Sequence, residues 1–145
     1  MGRLDRESEG LLLLTNDGEL TQRLTHPRYG VEKTYQVKLD GPADAQLISR
    51  ARSGVWLAEG KTAPLKAWVK RSGSRVTTLW VVLREGKNRE LRRIFAQLGR
   101  KVLSLRRVRL GPIALGRLPR GGFRVLTRGE LAALRRCAGS REAGA

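Results

Sequence analysis

The sequence predicts a single α+β domain in which helices are mixed with largely antiparallel strands. Segments with apolar residues at helical spacing occur between segments in which apolar and polar residues alternate, the pattern of half-buried strands. The chain has 145 residues, 40% of them hydrophobic, which suits one domain with a real core. Trp56, Trp68 and Trp80 lie in strand-like segments with apolar neighbours and are expected to be buried or half-buried. No internal repeat and no linker long enough to separate two domains interrupts this pattern.

The first part of the chain contains one predicted strand and one predicted helix. Residues 11–14 are consecutive leucines and are closed by the turn residues 16–18, which predicts a strand buried on both faces. Residues 19–25 have helical spacing and predict a helix. The dipeptide His26-Pro27 predicts the end of that helix, because the residue before a proline disfavours helical backbone angles.

The middle of the chain predicts a strand, a helix and a hairpin. Residues 33–39 alternate, with Tyr35 on the apolar face, and predict a strand. Residues 43–52 have apolar residues at helical spacing and predict a helix. Residues 65–69 and 76–83 predict two strands joined by a short polar turn, which is typical of a hairpin.

The last third of the chain predicts two helices and two strands. Residues 88–98 form the clearest helix, with apolar residues at i, i+3, i+4 and i+7 and its first residue as the N-terminal cap. Residues 102–110 alternate and predict a strand. Residues 123–126 predict a last short strand, and residues 128–136 predict a last helix. The tail at residues 138–145 is small and polar and is expected to be disordered.

The charge of the chain predicts a polyanionic partner. Lys and Arg number 30 and Asp and Glu number 13, so the formal net charge is +17. This excess is several times what solubility needs, and Lys and Arg beside phosphates gain free energy by releasing condensed counterions. A membrane surface would favour one long basic amphipathic helix, whereas here the basic residues are spread along the chain. Nucleic acid is therefore the predicted partner, and a membrane is not.

The sequence predicts no cofactor and no metal. Cys137 is the single cysteine, so no intramolecular disulfide can form, and His26 has no Cys/His cluster around it. The longest fully apolar runs, residues 11–14 and 79–83, are too short to span a bilayer, and no signal-peptide pattern opens the chain. We expect a monomeric protein of the reducing cytoplasm.

Three residues are candidates for chemistry, and each also has a structural interpretation. Asp5 precedes the leucine run, where a carboxylate is partly desolvated and firmly held, yet it equally suits a turn shaped by Ser8 and Gly10. Arg92 falls on the border of the apolar stripe of its helix and needs an anion, for which Asp5 is a candidate; alternatively its stem covers apolar surface. Tyr35 is either a core residue or a platform on which a base stacks, with a hydroxyl for proton transfer.

Basic residues cluster around the helix at 88–98 and the strand at 102–110, which favours contact with an RNA backbone. One face of that strand is apolar only in its first half, so its second half is expected to meet solvent or RNA. The helical spacing places Arg89 and Arg93 on the wet face of the helix. The candidate RNA-binding residues are Arg3, Lys33, Lys87, Asn88, Arg89, Arg93, Arg106, Arg107 and Arg109.

Three spaced motifs and two closing segments carry a family resemblance. The first motif covers residues 2–18 and runs from Gly-Arg-Leu-Asp to Asn-Asp-Gly. The second is Glu-Lys-Thr-Tyr at residues 32–35, and the third is Glu-Gly-Lys-Asn-Arg-Glu-Leu-Arg-Arg at residues 85–93. The closing segments are residues 108–112 and 118–123. In this order they resemble the aspartate, tyrosine and arginine motifs and the last segments of the RsuA/RluB family of ribosomal RNA pseudouridine synthases. The resemblance covers about residues 2–135, with Ser8 where threonine is frequent, and leans toward the large-subunit, RluB-like branch.

The resemblance implies an isomerase that converts a specific uridine of ribosomal RNA, expected in large-subunit RNA, to pseudouridine without a cofactor. It implies that Asp5 is the essential carboxylate, acting either at the sugar C1′ or by taking a proton from C2′. It implies that Tyr35 stacks on the flipped base and can help to remove the C5 proton. Arg92 is then the partner of Asp5 and favours its charged form. The implied fold is a mixed, largely antiparallel sheet flanked by helices, with a central RNA cleft.

The resemblance also sets the expected domain limits. It implies a catalytic domain over residues 1–137 that lacks the S4-type RNA-binding domain and the first strands which the family usually carries before this point. Met1 directly before the Gly-Arg-Leu-Asp motif suggests an artificial or misassigned start within a longer protein. The alternative function is a non-catalytic RNA-binding or ribosome-associated protein derived from such an enzyme. The charge suits both, and the joint presence of Asp5, Tyr35 and Arg92 favours the enzyme.

Overall fold

The computed structural model describes residues 2–87 and 89–139, which contain four α-helices, one 3-10 helix and eight strands. The elements in chain order are β1 (Glu9–Gly10), α1 (Gly18–Thr25), the 3-10 helix (Pro27–Tyr29), β2 (Lys33–Asp40), α2 (Ala45–Ser53), β3 (Trp56–Leu57), β4 (Gly60–Lys61), β5 (Lys66–Arg71), β6 (Val76–Leu83), α3 (Glu90–Gln97), β7 (Val102–Leu110), β8 (Ile113–Ala114) and α4 (Arg128–Gly139). None of the helices in these two ranges is long and apolar enough to cross a membrane.

Six strands form one mixed sheet with the order β1-β7-β2-β6-β5, and β8 pairs with β7. The pairs are antiparallel except for β1 and β7, which run parallel. Strands β3 and β4 form a separate two-stranded ribbon. The predicted α+β fold with a largely antiparallel sheet is confirmed, as is the predicted hairpin, which is β5-β6.

Two hydrophobic clusters stabilise the fold. In the first, Val37 of β2 and Val81 of β6 pack with Phe95 of α3, and all three side chains are fully buried. In the second, Leu24 of α1 and Leu134 of α4 pack together with apolar residues at the ends of β7 and β8. Helices of eight to twelve residues are marginal in isolation, so this packing is what maintains them.

The starts of α1 and α2 are set by aspartates. The Asp17 carboxylate accepts a hydrogen bond from the Leu20 amide at 3.1 Å, and the Asp44 carboxylate accepts one from the Leu47 amide at 2.8 Å. Each bond satisfies an amide that has no partner within its helix. Both helices therefore begin within two residues of the positions that the sequence predicts, and α1 ends before the His26-Pro27 pair as expected.

The predicted strand at residues 11–14 is wrong. Only Glu9–Gly10 pairs with β7, and the four leucines that follow alternate, with the first and third buried and the second and fourth exposed. Leu14 is 85% exposed. The segment runs along the edge of the sheet, so only one of its faces contacts the second hydrophobic cluster.

The C-terminal predictions are also corrected in two places. Residues 123–126 form no strand, and Phe123 is 90% exposed. Helix α4 continues to Gly139 with Ala138 buried against the second cluster, so the predicted disordered tail does not begin at residue 138. Residues 140–145 of that tail lie outside the described residues. The domain limit at residue 137 stays a prediction, and it falls inside α4.

The burial expected for the tryptophans holds for one of three. Trp56 is 69% exposed on the small ribbon, and Trp68 is exposed on the edge strand β5. Trp80, on the neighbouring strand β6, is half-buried, and the Lys70 ammonium group lies 4.7 Å from the centre of its ring.

Helix α3 begins with a buried carboxylate. The Lys87 amide donates to Glu90 Oε2 at 2.9 Å, and the Glu90 amide donates back to the Lys87 carbonyl oxygen at 3.2 Å. Arg89 occupies the cap position with a φ of 51° and makes no side-chain cap bond, while Asn88, the predicted cap, lies outside the described residues. Burial, followed by the neighbouring Glu85 carboxyl group, raises the pKa of Glu90 to about 7.

We expect the free energy of unfolding of the Glu90→Gln protein to increase relative to that of the parent as pH rises. The folded chain holds the Glu90 proton up to a pKa of about 7, whereas the unfolded chain releases it near 4.5, so this group's contribution to stability is lost as pH rises between those values. The neutral amide has no such loss. Urea unfolding at about pH 5 and about pH 8 measures the free energy of unfolding of both proteins.

The control for this experiment is Glu19→Gln, which removes an exposed carboxylate from α1. The free energy of unfolding of the Glu90→Gln protein is compared with that of the parent at each pH. If the difference between the two proteins is the same at both pH values, the prediction is wrong.

Candidate functional site

A cavity of about 420 Å³ opens at the end of the sheet, between residues 2–8 and the start of α3. This volume lies within the range of small-ligand pockets. Apolar walls come from Leu83, Leu91 and Leu105. The titratable residues that line the cavity are Arg3, Asp5, Lys33, Tyr35, Lys87, Arg89, Glu90 and Arg107.

Asp5 is held at the cavity by a turn. The Ser8 amide donates to the Asp5 carbonyl oxygen at 3.0 Å, and the Ser8 hydroxyl donates to Asp5 Oδ1 at 2.5 Å. Strand β1 follows directly and anchors the turn on the sheet. Gly10 has a φ of +116°, and a Cβ atom there would lie 2.2 Å from the Arg107 carbonyl oxygen, so this close approach of the two chains requires glycine.

The structure brings Asp5 and Arg92 together, as the sequence suggests. Arg92 Nε and Arg89 Nη1 each lie 3.7 Å from Asp5 Oδ2. Both distances exceed a hydrogen bond, so these are contacts between charges. The Arg92 side chain is 13% exposed and donates to the Glu7 carbonyl oxygen at 3.0 Å, which joins α3 to the N-terminal segment.

Glu7 and Arg89 take part in the same charge network, and neither was predicted to. Arg89 Nη2 donates to Glu7 Oε2 at 2.8 Å, and this bond lowers the pKa of Glu7 below its usual value. Helical spacing placed Arg89 on the wet face of α3, and its side chain is indeed largely exposed. The fold adds the N-terminal segment beside that face, which no periodicity in the sequence indicates.

Tyr35 lies on β2 with its ring at the cavity wall, directly across the strand pair from Arg107. Burial raises the pKa of the Tyr35 phenol, and the neighbouring Arg107 guanidinium opposes part of that rise through its charge and a hydrogen-bonding interaction. The phenol is therefore neutral near physiological pH. The ring packs against the first cluster, which fits the core interpretation, and it also lines the cavity, while stacking on a base stays a prediction.

Lys33 and Arg107 differ from the expectation that they present charge on an exposed RNA-facing surface. Lys33 is buried in the cavity wall. Its ammonium group lies close to Gly86, so that a Cβ atom at that glycine would be 3.2 Å from the Lys33 nitrogen. Burial, and then the charge of Arg107, lower the pKa of Lys33. Arg107 is 1% exposed. Side chains alternate between the two faces of the sheet along β7, and Arg107 is paired with Tyr35 of β2. The Arg107 side chain therefore lies on the face of the sheet that the helices cover.

The other candidate RNA-binding residues fall into three groups. Arg3 and Lys87 line the cavity, with Arg3 exposed at its mouth. Arg106 and Arg109 are exposed on β7. Arg93 donates from Nη1 to both carboxylate oxygens of Glu59, at 2.6 and 2.8 Å. Asn88 lies outside the described residues.

Comparison with known proteins identifies the family of the chain. Residues 1–97 match the family model described as RNA pseudouridylate synthase. An uncharacterized RNA pseudouridine synthase of Aquifex aeolicus is 40% identical over 139 residues, which are 96% of this chain and 56% of the relative. The ribosomal large subunit pseudouridine synthase B of Bacillus subtilis is 40% identical over 137 residues, 93% of this chain and 56% of that protein. The chain thus spans little more than half the length of these relatives.

The fold agrees with the sequence comparison. A crystal structure of a pseudouridylate synthase superposes with a TM-score of 0.85 at 34% sequence identity, over 92% of this chain and 57% of the other. Family motifs, fold and the geometry around Asp5 coincide in one chain. The chain belongs to the RNA pseudouridylate synthase family, as a member of the RsuA/RluB-like group.

Proposed function

We propose that this chain isomerises a specific uridine of ribosomal RNA to pseudouridine, with Asp5 as the catalytic carboxylate. The observation that carries this proposal is the position of Asp5, with one carboxylate oxygen held by Ser8 and the other facing Arg89 and Arg92, at a cavity that Tyr35 also lines. The names of relatives such as the Bacillus subtilis large subunit synthase favour large-subunit RNA as the substrate.

The reaction is a balanced rearrangement. The bond between uracil N1 and ribose C1′ breaks, the base turns, and a bond forms between C5 and C1′. C5 loses its proton and N1 gains one, so no atom is added and nothing is oxidised or reduced. Asp5 acts either at C1′ or by taking the C2′ proton, and both routes need an oriented carboxylate beside the sugar.

The charges around Asp5 suit this role. Two guanidinium groups lie 3.7 Å from Oδ2, which is longer than a hydrogen bond. Among the described residues, they place positive charge beside this oxygen and leave it free to face the substrate. The Ser8 hydroxyl restricts the rotation of the carboxylate through Oδ1. A carboxylate held in this way is oriented before the substrate arrives, which lowers the entropic part of the barrier.

Tyr35 suits the recognition of a base that has left the RNA stack. Its ring faces the cavity, and burial keeps the phenol neutral, so the ring offers an uncharged surface for stacking. Removal of the C5 proton by Tyr35 would require the phenolate. Stacking is therefore the role that the buried position favours.

The basic surface supports RNA as the macromolecular partner. The formal net charge is +17, and Arg3, Lys87 and Arg89 line the same cavity as Asp5. Neutralising phosphates close to the reacting nucleotide strengthens binding and makes it salt-dependent. We infer that the protein acts in the cytoplasm on ribosomal RNA, and we expect a monomer.

The activity is tested by release of tritium from ribosomal RNA that carries the label at uracil C5. We expect the parent chain to release tritium and Asp5→Ala and Asp5→Asn to be slower by at least about 1,000-fold, because the reaction loses its reacting carboxylate. Glu19→Gln, which removes a carboxylate far from the cavity, is the control and should match the parent. Separate large- and small-subunit transcripts show which RNA carries the uridine.

Two results would contradict these expectations. Equal release by Asp5→Ala and the parent removes Asp5 from the mechanism. No release by a folded parent chain that binds the RNA contradicts the proposed activity and supports the non-catalytic RNA-binding alternative.

Arg92 is tested by Arg92→Met and Arg92→Lys. We expect the rate at saturating RNA to fall by about 100-fold or more in Arg92→Met, because a charge that stabilises the Asp5 carboxylate is lost, and to recover in part in Arg92→Lys. Arg50→Met, which removes an exposed arginine from α2, is the matched control. An unchanged rate in Arg92→Met would show that the contact with Asp5 has no part in catalysis.

A further inference from the structure

Arg107 holds the N-terminal segment at both of its ends. Arg107 Nε donates to the Leu11 carbonyl oxygen at 2.8 Å, and Arg107 Nη2 donates to the Gly2 carbonyl oxygen at 3.0 Å. The Arg107 carbonyl oxygen also accepts a hydrogen bond from the Leu11 amide at 2.8 Å. Asp5 lies between these two anchor points, so one side chain fixes both ends of the loop that carries it.

The Arg107 guanidinium is buried without a compensating carboxylate. Its exposure is 1%, and among residues 2–87 and 89–139 no acidic side chain lies within ion-pair distance of it. Lys33, a second buried cation, lines the same cavity. Burying an unpaired charge costs free energy, and apolar packing could join the segment to the sheet without that cost. The charge is therefore expected to act on a neighbouring group.

Tyr35 is that neighbouring group. It lies opposite Arg107 in the pairing of β2 with β7, and the charge of the guanidinium opposes part of the rise that burial causes in the pKa of the Tyr35 hydroxyl. Asp5 from the N-terminal segment and Glu90 from α3 also act on the Tyr35 hydroxyl electrostatically, in the opposite direction. The remaining charged groups around the cavity are Arg3, Lys33, Lys87 and Arg89.

We propose that Arg107 is a positioning residue that holds the Asp5 loop and the Tyr35 hydroxyl in one fixed arrangement, and that it acts through these two groups without touching the RNA. This inference rests on the proposed function, because it assigns Arg107 to the same reaction. Preorganisation of this kind matters because displacement of a reacting group by about 1 Å can cost about 100-fold in rate.

The first test is spectroscopic and needs no RNA. The chain has two tyrosines, so in a Tyr29→Phe background the ultraviolet absorbance of phenolate reports Tyr35 alone. We expect Arg107→Met to raise the titration midpoint of Tyr35 further, and Arg107→Lys to stay nearer the parent, because it keeps the charge. Arg50→Met, with the same loss of net charge far from the cavity, should leave the midpoint unchanged. Circular dichroism at each pH verifies the fold.

The second test follows the loop and the reaction. We expect amide hydrogen exchange of residues 2–11 to accelerate in Arg107→Met, and the rate at saturating RNA to fall by about 10-fold or more while the RNA concentration at half-maximal rate stays the same. Arg107→Lys should restore part of the rate. If Arg107→Met does not fold, Arg107→Lys decides alone. Lysine keeps the charge near Tyr35, but its donors all lie on one nitrogen, which cannot reach both carbonyl groups as the separate Nε and Nη2 atoms of Arg107 do.

The outcomes are distinct. The proposal is overturned if Arg107→Met folds and keeps both the parental Tyr35 midpoint and the parental hydrogen exchange in residues 2–11. If only Arg107→Lys folds, parental hydrogen exchange in residues 2–11 of that variant overturns the proposal. If the parent releases no tritium from RNA, the proposed function fails, whereas titration and exchange still establish whether Arg107 holds Tyr35 and the loop.

Discussion

The parallel pairing of β1 with β7 is the interaction on which the site depends. The N-terminal segment has little regular structure of its own: a two-residue strand, one turn and a few side-chain bonds. Pairing through Gly10 and the buried Arg107 places this segment on the sheet, and only then does the turn at Ser8 aim Asp5 at the cavity. Without that pairing, the Asp5 turn would lose its attachment to the sheet.

The large positive charge is divided by the fold among three different environments. Lys33 and Arg107 are buried in the cavity wall. Arg92 contacts the N-terminal segment, and Arg93 contacts Glu59. Other basic residues, such as Arg106, are exposed to solvent. The exposed residues present their charge at the surface. The buried cations instead raise the electrostatic potential inside the cavity, where a low local dielectric strengthens their effect on neighbouring groups.

Helix α3 joins these environments. Its buried face carries Phe95 into the first cluster, its border carries Arg92 to the Asp5 loop, and its first turn places Glu90 in the cavity wall. The stability of an eight-residue helix comes from that packing, so the core and the site are maintained by the same contacts. The cavity wall therefore holds two buried cations, Lys33 and Arg107, together with the carboxyl groups of Asp5 and Glu90, on elements that the core already fixes.

The sequence by itself determined the α+β class, the periodic elements such as α3 and β2, the family and the identity of Asp5, Tyr35 and Arg92 as candidates, because periodicity and motif order are local properties of the chain. It misjudged residues 11–14 and 123–126, where apolar runs predict strands but the sheet offers no partner on the required side. Only the tertiary structure decided that Glu7 and Arg89 join the Asp5 network and that Arg107 is buried beside Tyr35. The Glu7–Arg89 contact links residues 82 positions apart, and Arg107 reaches Leu11 across 96 positions. Burial at such distances depends on which strands pair, a property that no local pattern of residue types encodes.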